Sequence, residues 1–109
     1  MSFKIIPLPV FENQLKRLFK KYPSIRNDIK ELVGSLRSNP QQGISIGRNC
    51  YKIRIRITSK GKGKSGGGRV LTNVLVYQNT VVLLSIYDKS EKQNISDKEL
   101  KELINQIII

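Results

Sequence analysis

Tyr51-Lys52-Ile53-Arg54-Ile55-Arg56-Ile57 alternates with a period of two, and its reading decides the fold. An extended chain sends successive side chains to opposite faces. Tyr51, Ile53, Ile55 and Ile57 therefore share one sheet face, and Lys52, Arg54 and Arg56 share the other. One face suits a core and the other is cationic. Downstream, the alternation enters Lys60-Gly61-Lys62-Gly63-Lys64-Ser65-Gly66-Gly67-Gly68. Two apolar runs follow, Val70 to Tyr77 and Val81 to Tyr87, joined at Gln78-Asn79-Thr80. Their near-continuous apolar character predicts two strands at central positions of a sheet.

Upstream, Phe3 to Pro9 reads as a short edge strand, because Pro7 and Pro9 cannot donate ladder hydrogen bonds. Phe11, Leu15, Leu18, Phe19 and Tyr22 recur at helical spacing until Pro23 stops the helix. Ser24 is placed to cap a second helix with Ile25, Ile29, Leu32, Val33 and Leu36 on its buried stripe, ending before Asn39-Pro40. Gly34 costs that helix about 1 kcal/mol relative to alanine, which points to close packing there. Gln41 to Asn49 reads as turns. At the far end, Ser96 and Glu99 form a capping box, Ile95 and Leu100 a staple, and the helix they start buries Leu100, Leu103, Ile104 and Ile107. Ile107-Ile108-Ile109 exceeds one helical stripe, and reads either as core packing or as an apolar contact for a partner. The order strand, helix, helix, three strands, helix describes one α+β domain over residues 1–109, with a helical hairpin packed on a mainly antiparallel sheet.

The chain has 109 residues, a net charge of +12 and a pI near 10.2. No acidic residue lies between Glu31 and Asp88, where nine cations stand, seven of them from Lys52 to Arg69. Solvated surfaces normally mix signs because like charges repel, so a one-sided field implies a polyanionic partner, with nucleic acid the leading candidate. Cys50 is the sole cysteine and histidine is absent. That pattern offers no disulfide, no thiolate zinc site and no histidine-based catalysis, and neither metal nor cofactor is expected. Cys50 reads as core filling rather than as a nucleophile. The start lacks a secretory apolar region and no apolar run approaches the roughly 20 residues of a membrane span, so the expected setting is the cytoplasm with no membrane partner.

The glycine-rich loop imitates a phosphate-binding motif only in part. Thr58 stands where that motif needs glycine, and the loop leads into a strand rather than a helix. Glycine richness alone fits a hairpin linker, whereas Lys60, Lys62 and Lys64 interleaved with it fit an arm that follows a phosphate backbone, together with Arg56. Lys52, Arg54 and Arg56 on one face repel one another, and such crowding eases loss of a proton, which makes Lys52 a candidate base. Arg69 offers a fork for phosphate, and Tyr87 and Lys89 close the last strand within reach of the same region. Lys89 also reads as a loop cation paired with Asp88 or Glu91. RNA carries its own nucleophile in the 2′-OH. A base, charge-stabilising arginines and an acid suffice to give a 2′,3′-cyclic phosphate and a 5′-hydroxyl.

Lys20-Lys21-Tyr22-Pro23, Asn39-Pro40, Tyr51-Lys52-Ile53-Arg54, Ser65-Gly66-Gly67-Gly68-Arg69-Val70 and Ile86-Tyr87-Asp88-Lys89, in this order, resemble the RelE/HigB family of bacterial type II toxins. The resemblance implies a RelE-like microbial ribonuclease fold and ribosome-dependent cleavage of mRNA. It also implies a cognate antitoxin that neutralises the toxin, and operator DNA bound by the toxin–antitoxin complex. Lys52 and Arg54 match the family's first catalytic strand, Arg69 the arginine opening the next, and Lys89 the place of a later catalytic arginine. Lysine there is a departure, because it gives a point charge where arginine gives a planar fork. The family's stacking tyrosine falls near Ile95, and Tyr87 is the candidate to substitute. The long Lys60 to Gly68 insertion resembles the HigB-like branch, which would bring Lys64 into the site. Two other readings stay open: a non-catalytic nucleic-acid- or ribosome-binding protein, and a degenerate toxin that retains antitoxin binding alone.

Overall fold

A computed structural model of the chain describes residues 2–61, 63 and 66–107. The elements are β1 (Lys4–Pro7), α1 (Pro9–Lys21), α2 (Ile25–Ser38), β2 (Ile44–Gly47), β3 (Cys50–Ile55), β4 (Gly68–Leu75), β5 (Thr80–Asp88) and α3 (Asp97–Asn105). The five strands form one sheet in the order β1-β5-β4-β3-β2. β1 runs parallel to β5, and the other three pairings are antiparallel. The expected α+β architecture with its N-terminal strand, helical hairpin and C-terminal helix is the one observed.

The alternation of β3 sorts as read: Ile53, Ile55 and Ile57 are buried while Arg54 and Arg56 are exposed. β4 and β5 occupy the middle and are buried almost throughout, which is why their sequences show so little alternation. The helical hairpin covers the Ile53/Ile55 face, with Leu32 of α2 across a groove from both. α3 lies on the opposite face, where Leu100 and Lys52 line a common hollow. β1 stops at Pro7, level with Leu83, leaving the last part of β5 without a strand partner on that side. Gln14 of α1 takes over, its Oε1 accepting from the Ile86 N–H and the Ser85 hydroxyl, each at 3.0 Å.

Several local expectations are corrected. Pro9 belongs to α1, where it fills the first helical turn that needs no amide donor. Gln41 to Asn49 contains a strand, β2, whose turn into β3 holds Gly47, Arg48 and Asn49 at positive φ. Ser24 makes no side-chain cap. Its hydroxyl donates to Asp28 Oδ2 and accepts from the Ser59 N–H at 2.8 Å. Gly34 is exposed, with nothing within 4 Å of a Cβ built there, so no close packing explains it. Val76–Gln78 leaves β4 as a 3-10 turn. The capping box is present as read, the Ser96 side chain accepting from the Glu99 N–H at 3.1 Å. Ile107 is half-buried against the core, and Ile108 and Ile109 lie outside the described residues.

Candidate functional site

Register brings three of the expected residues into one row. Arg54 of β3 stands opposite Arg69 of β4, and Arg69 stands opposite Tyr87 of β5. Directly opposed residues of antiparallel strands share a face, and neighbouring strands lie about 4.8 Å apart, so the row spans about 10 Å. Lys52 sits two residues along β3 on the same face, opposite Leu71. Opposed arginines destabilise a sheet unless an anion meets them.

Exposure falls steeply along the row. Arg54 is open to solvent, whereas Arg69 is 4% and Tyr87 5% exposed. The Arg69 Nη1 donates to the Gly68 carbonyl at 2.9 Å, which holds one terminal nitrogen of the guanidinium beside the turn from the loop. Above Tyr87 lies Lys92, with its ammonium 6.0 Å from the ring centre and ion-paired to Glu99 of α3. Burial pushes the Tyr87 phenol up, the Arg69 charge pulls it back, and Glu99 adds to the rise. That direction keeps the group a phenol. Among the described residues its Oη has no hydrogen-bond partner.

The other expected residues divide. Lys52 is half-buried and lines a hollow of about 200 Å³ with Ile46, Asn94, Asp97 and Leu100. Arg56 follows β3 and is exposed. Lys89 is half-buried just past β5, and its N–H donates to the Gly67 carbonyl at 3.1 Å. Of the two carboxylates suggested as its partners, Asp88 holds Lys60, and Glu91 pairs with Arg17 at 3.1 Å and Lys21 at 3.8 Å. Lys62 and Lys64 lie outside the described residues.

Lys60, expected in the arm of RNA-contacting lysines, stands here in an ion pair. Its side chain is 10% exposed, and its Nζ sits 2.6 Å from Oδ1 of Asp88, whose own side chain is 0% exposed. A buried carboxylate demands a cation and several donors, and here it takes Lys60 instead of leaving it to solvent. The remaining donors are the Tyr22 hydroxyl at 2.6 Å, the Ser90 hydroxyl at 2.8 Å and the Ser90 N–H at 3.0 Å. Sequence reasoning missed this network. The available signal was Asp88 itself, an acid ending an apolar strand after a long stretch without any. Cys50 is fully buried, and burial pushes its thiol up against the smaller opposing pulls of Asn73 and Arg48, as suits core filling.

The model of the family described as the RelE toxin of the RelE/RelB toxin–antitoxin system matches residues 10–106. A mutant E. coli toxin RelE in the free state is similar in structure at 19% identity and a TM-score of 0.62, covering 99% of this chain and 100% of that one. The same mutant toxin in complex with an antitoxin RelBc peptide gives 0.57 at 19% identity, with 99% and 100% covered. Isolated E. coli RelE toxin gives 0.56 at 19% identity, with 98% and 100% covered. Among the described residues, no helix is long and apolar enough to cross a membrane.

Proposed function

The chain belongs to the RelE toxin family, and on that premise we propose that it cleaves messenger RNA within the ribosome as the toxin of a type II toxin–antitoxin pair. The observation that carries this reading is the row Arg54–Arg69–Tyr87, two opposed cations and a protonated phenol on one face of the sheet. A phosphodiester entering from the β3 side meets the exposed Arg54 first and then the fork of Arg69. Charge building on the phosphate as the 2′-OH attacks is stabilised by both guanidiniums. Tyr87 donates a proton to the leaving 5′ oxygen, and Lys52, half-buried two residues from Arg54 on the same face, is the candidate to take the 2′-OH proton. Lys89 adds positive charge at the end of β5. The products are a 2′,3′-cyclic phosphate and a 5′-hydroxyl, and the balance needs no co-reactant.

The natural partner is a cognate antitoxin, a reading supported by the solved complex of E. coli RelE with an antitoxin peptide. Binding of operator DNA belongs to that complex in this reading, and the expected setting is the cytoplasm.

Arg69→Ala tests the assignment. In a translation extract the wild-type protein should leave messenger fragments with 5′-hydroxyl ends, and Arg69→Ala should lower the rate by about a hundredfold or more while its circular dichroism is unchanged. Undiminished cleavage by Arg69→Ala would remove the row from the chemistry. Wild-type protein that binds RNA without cutting it points to a nucleic-acid-binding module, and one that binds antitoxin alone points to a degenerate toxin.

A further inference from the structure

Both ends of the glycine-rich loop converge on one residue. Outgoing, Lys60 places its ammonium on the Asp88 carboxylate at 2.6 Å. Returning, Gly68 stands opposite Asp88 in the β4–β5 ladder, and the Gly67 carbonyl accepts from the next amide, Lys89. Tyr22 donates to the same carboxylate from the end of α1, and the Lys60 ammonium lies 5.8 Å over the Tyr22 ring. The outgoing arm has further ties: the Thr58 N–H and hydroxyl both donate to Asp28, at 3.0 and 2.6 Å, and the Ser59 N–H donates to Ser24 Oγ. On the returning arm, a Cβ on Gly67 would lie 2.2 Å from the Ile55 carbonyl, so the backbone presses directly onto β3. Arg69 is two residues beyond that contact, and Tyr87 is the residue before Asp88.

We propose that Lys60 is a positioning residue: locked onto buried Asp88, it closes the neck of the glycine-rich loop and so fixes Arg69 and Tyr87 in line with Arg54. The inference rests on the reading of this row as a messenger-cleaving site. It gives the first lysine of the loop a role distinct from holding RNA, because an ammonium spent on a buried carboxylate is not available to a phosphate. It also accounts for Asp88, whose charge would otherwise oppose binding of a polyanion one residue from Tyr87.

The test is a double-mutant cycle on cleavage of translated messenger, with amide hydrogen exchange as a readout independent of activity. Lys60→Met and Asp88→Asn should each lower kcat at least tenfold with KM for messenger little changed. The double variant, which leaves no unpaired buried charge and guards against misfolding of either single one, should be no worse than the worse single variant. Lys60→Arg should recover most of the rate. Exchange at the Ser59 and Lys89 amides should speed up at least tenfold in both single variants and stay slow in Lys60→Arg. A raised KM in Lys60→Met together with tighter RNA binding in Asp88→Asn would overturn the proposal in favour of a lysine that touches RNA. Unchanged exchange in both single variants would overturn the latch itself. Faster exchange with unchanged kcat would overturn the positioning role. A wild-type protein that cuts no translated messenger defeats the reading of the site instead, while the exchange arm still reports on the latch.

Discussion

In the proposed reading Tyr87 answers to folding and to chemistry at once. Its ring fills the space beneath Lys92, yet its hydroxyl is buried without a partner among the described residues, an arrangement that costs about 1–3 kcal/mol. Tyr87→Phe should therefore keep or raise the melting temperature while lowering messenger cleavage about a hundredfold, the low end of a lost general acid. Thermal melts and cleavage rates on the same preparations check the split, and full activity in Tyr87→Phe would take the proton donor elsewhere. The candidacy of Tyr87 was legible in the sequence, as an aromatic closing an apolar run. Its alignment with Arg69 and Arg54 was not, because it depends on the length of the loop between β3 and β4, and a register shift between Leu71 and Thr72 then offsets the rest of the β4–β5 ladder. The pairing of Lys60 with Asp88 was hidden for a related reason: a cation among glycines looks the same whether it faces solvent or a carboxylate 28 residues away.

Among elements, every strand but β2 was legible, the edge strand β1 included. β3 announced itself by alternation and α3 by its capping box, since each signal is written in adjacent residues. β2 was hidden because a four-residue edge strand, Ile-Ser-Ile-Gly, is too short for periodicity to stand out from turn-forming neighbours. The end of β5 is held by α1 and by the loop after β3, both acting through Asp88. Burial pushes that carboxyl up, but the hydrogen bonds from Lys60, Tyr22 and Ser90 outweigh burial and hold it well below the usual carboxylate range. A folded-state pKa below the unfolded value of about 3.9 gives stability that is present above that value and lost as pH falls below it. The melting temperature should therefore drop more steeply between about pH 4 and pH 2 for the wild-type protein than for Asp88→Asn. The variant should start lower by about 3–5 kcal/mol at neutral pH, because it leaves Lys60 buried without its counter-charge. Parallel acid slopes in the two proteins would show that Asp88 does not couple these elements.

Across the whole molecule, the net charge of +12 and the access to the site pull in different directions. On the proposed reading a field of this sign attracts RNA of any sequence, and binding of protein-free RNA should weaken steeply as salt rises. Cutting asks for more. The row is open at Arg54 and nearly closed at Arg69 and Tyr87, at 4% and 5% exposure, so a productive phosphodiester must be presented in one orientation from one side. A free strand seldom holds that geometry, whereas a messenger fixed in the ribosome has already given up the conformational freedom that the reaction requires. The free protein should thus bind naked RNA readily and cut it at least about a thousandfold more slowly than messenger on programmed ribosomes, a difference within the reach of orientation alone. End-labelled RNA, assayed alone and on ribosomes at one salt concentration, measures the ratio directly. Comparable rates in the two settings would mean that the closed end of the row opens on contact with RNA itself, and that the ribosome contributes recruitment rather than alignment.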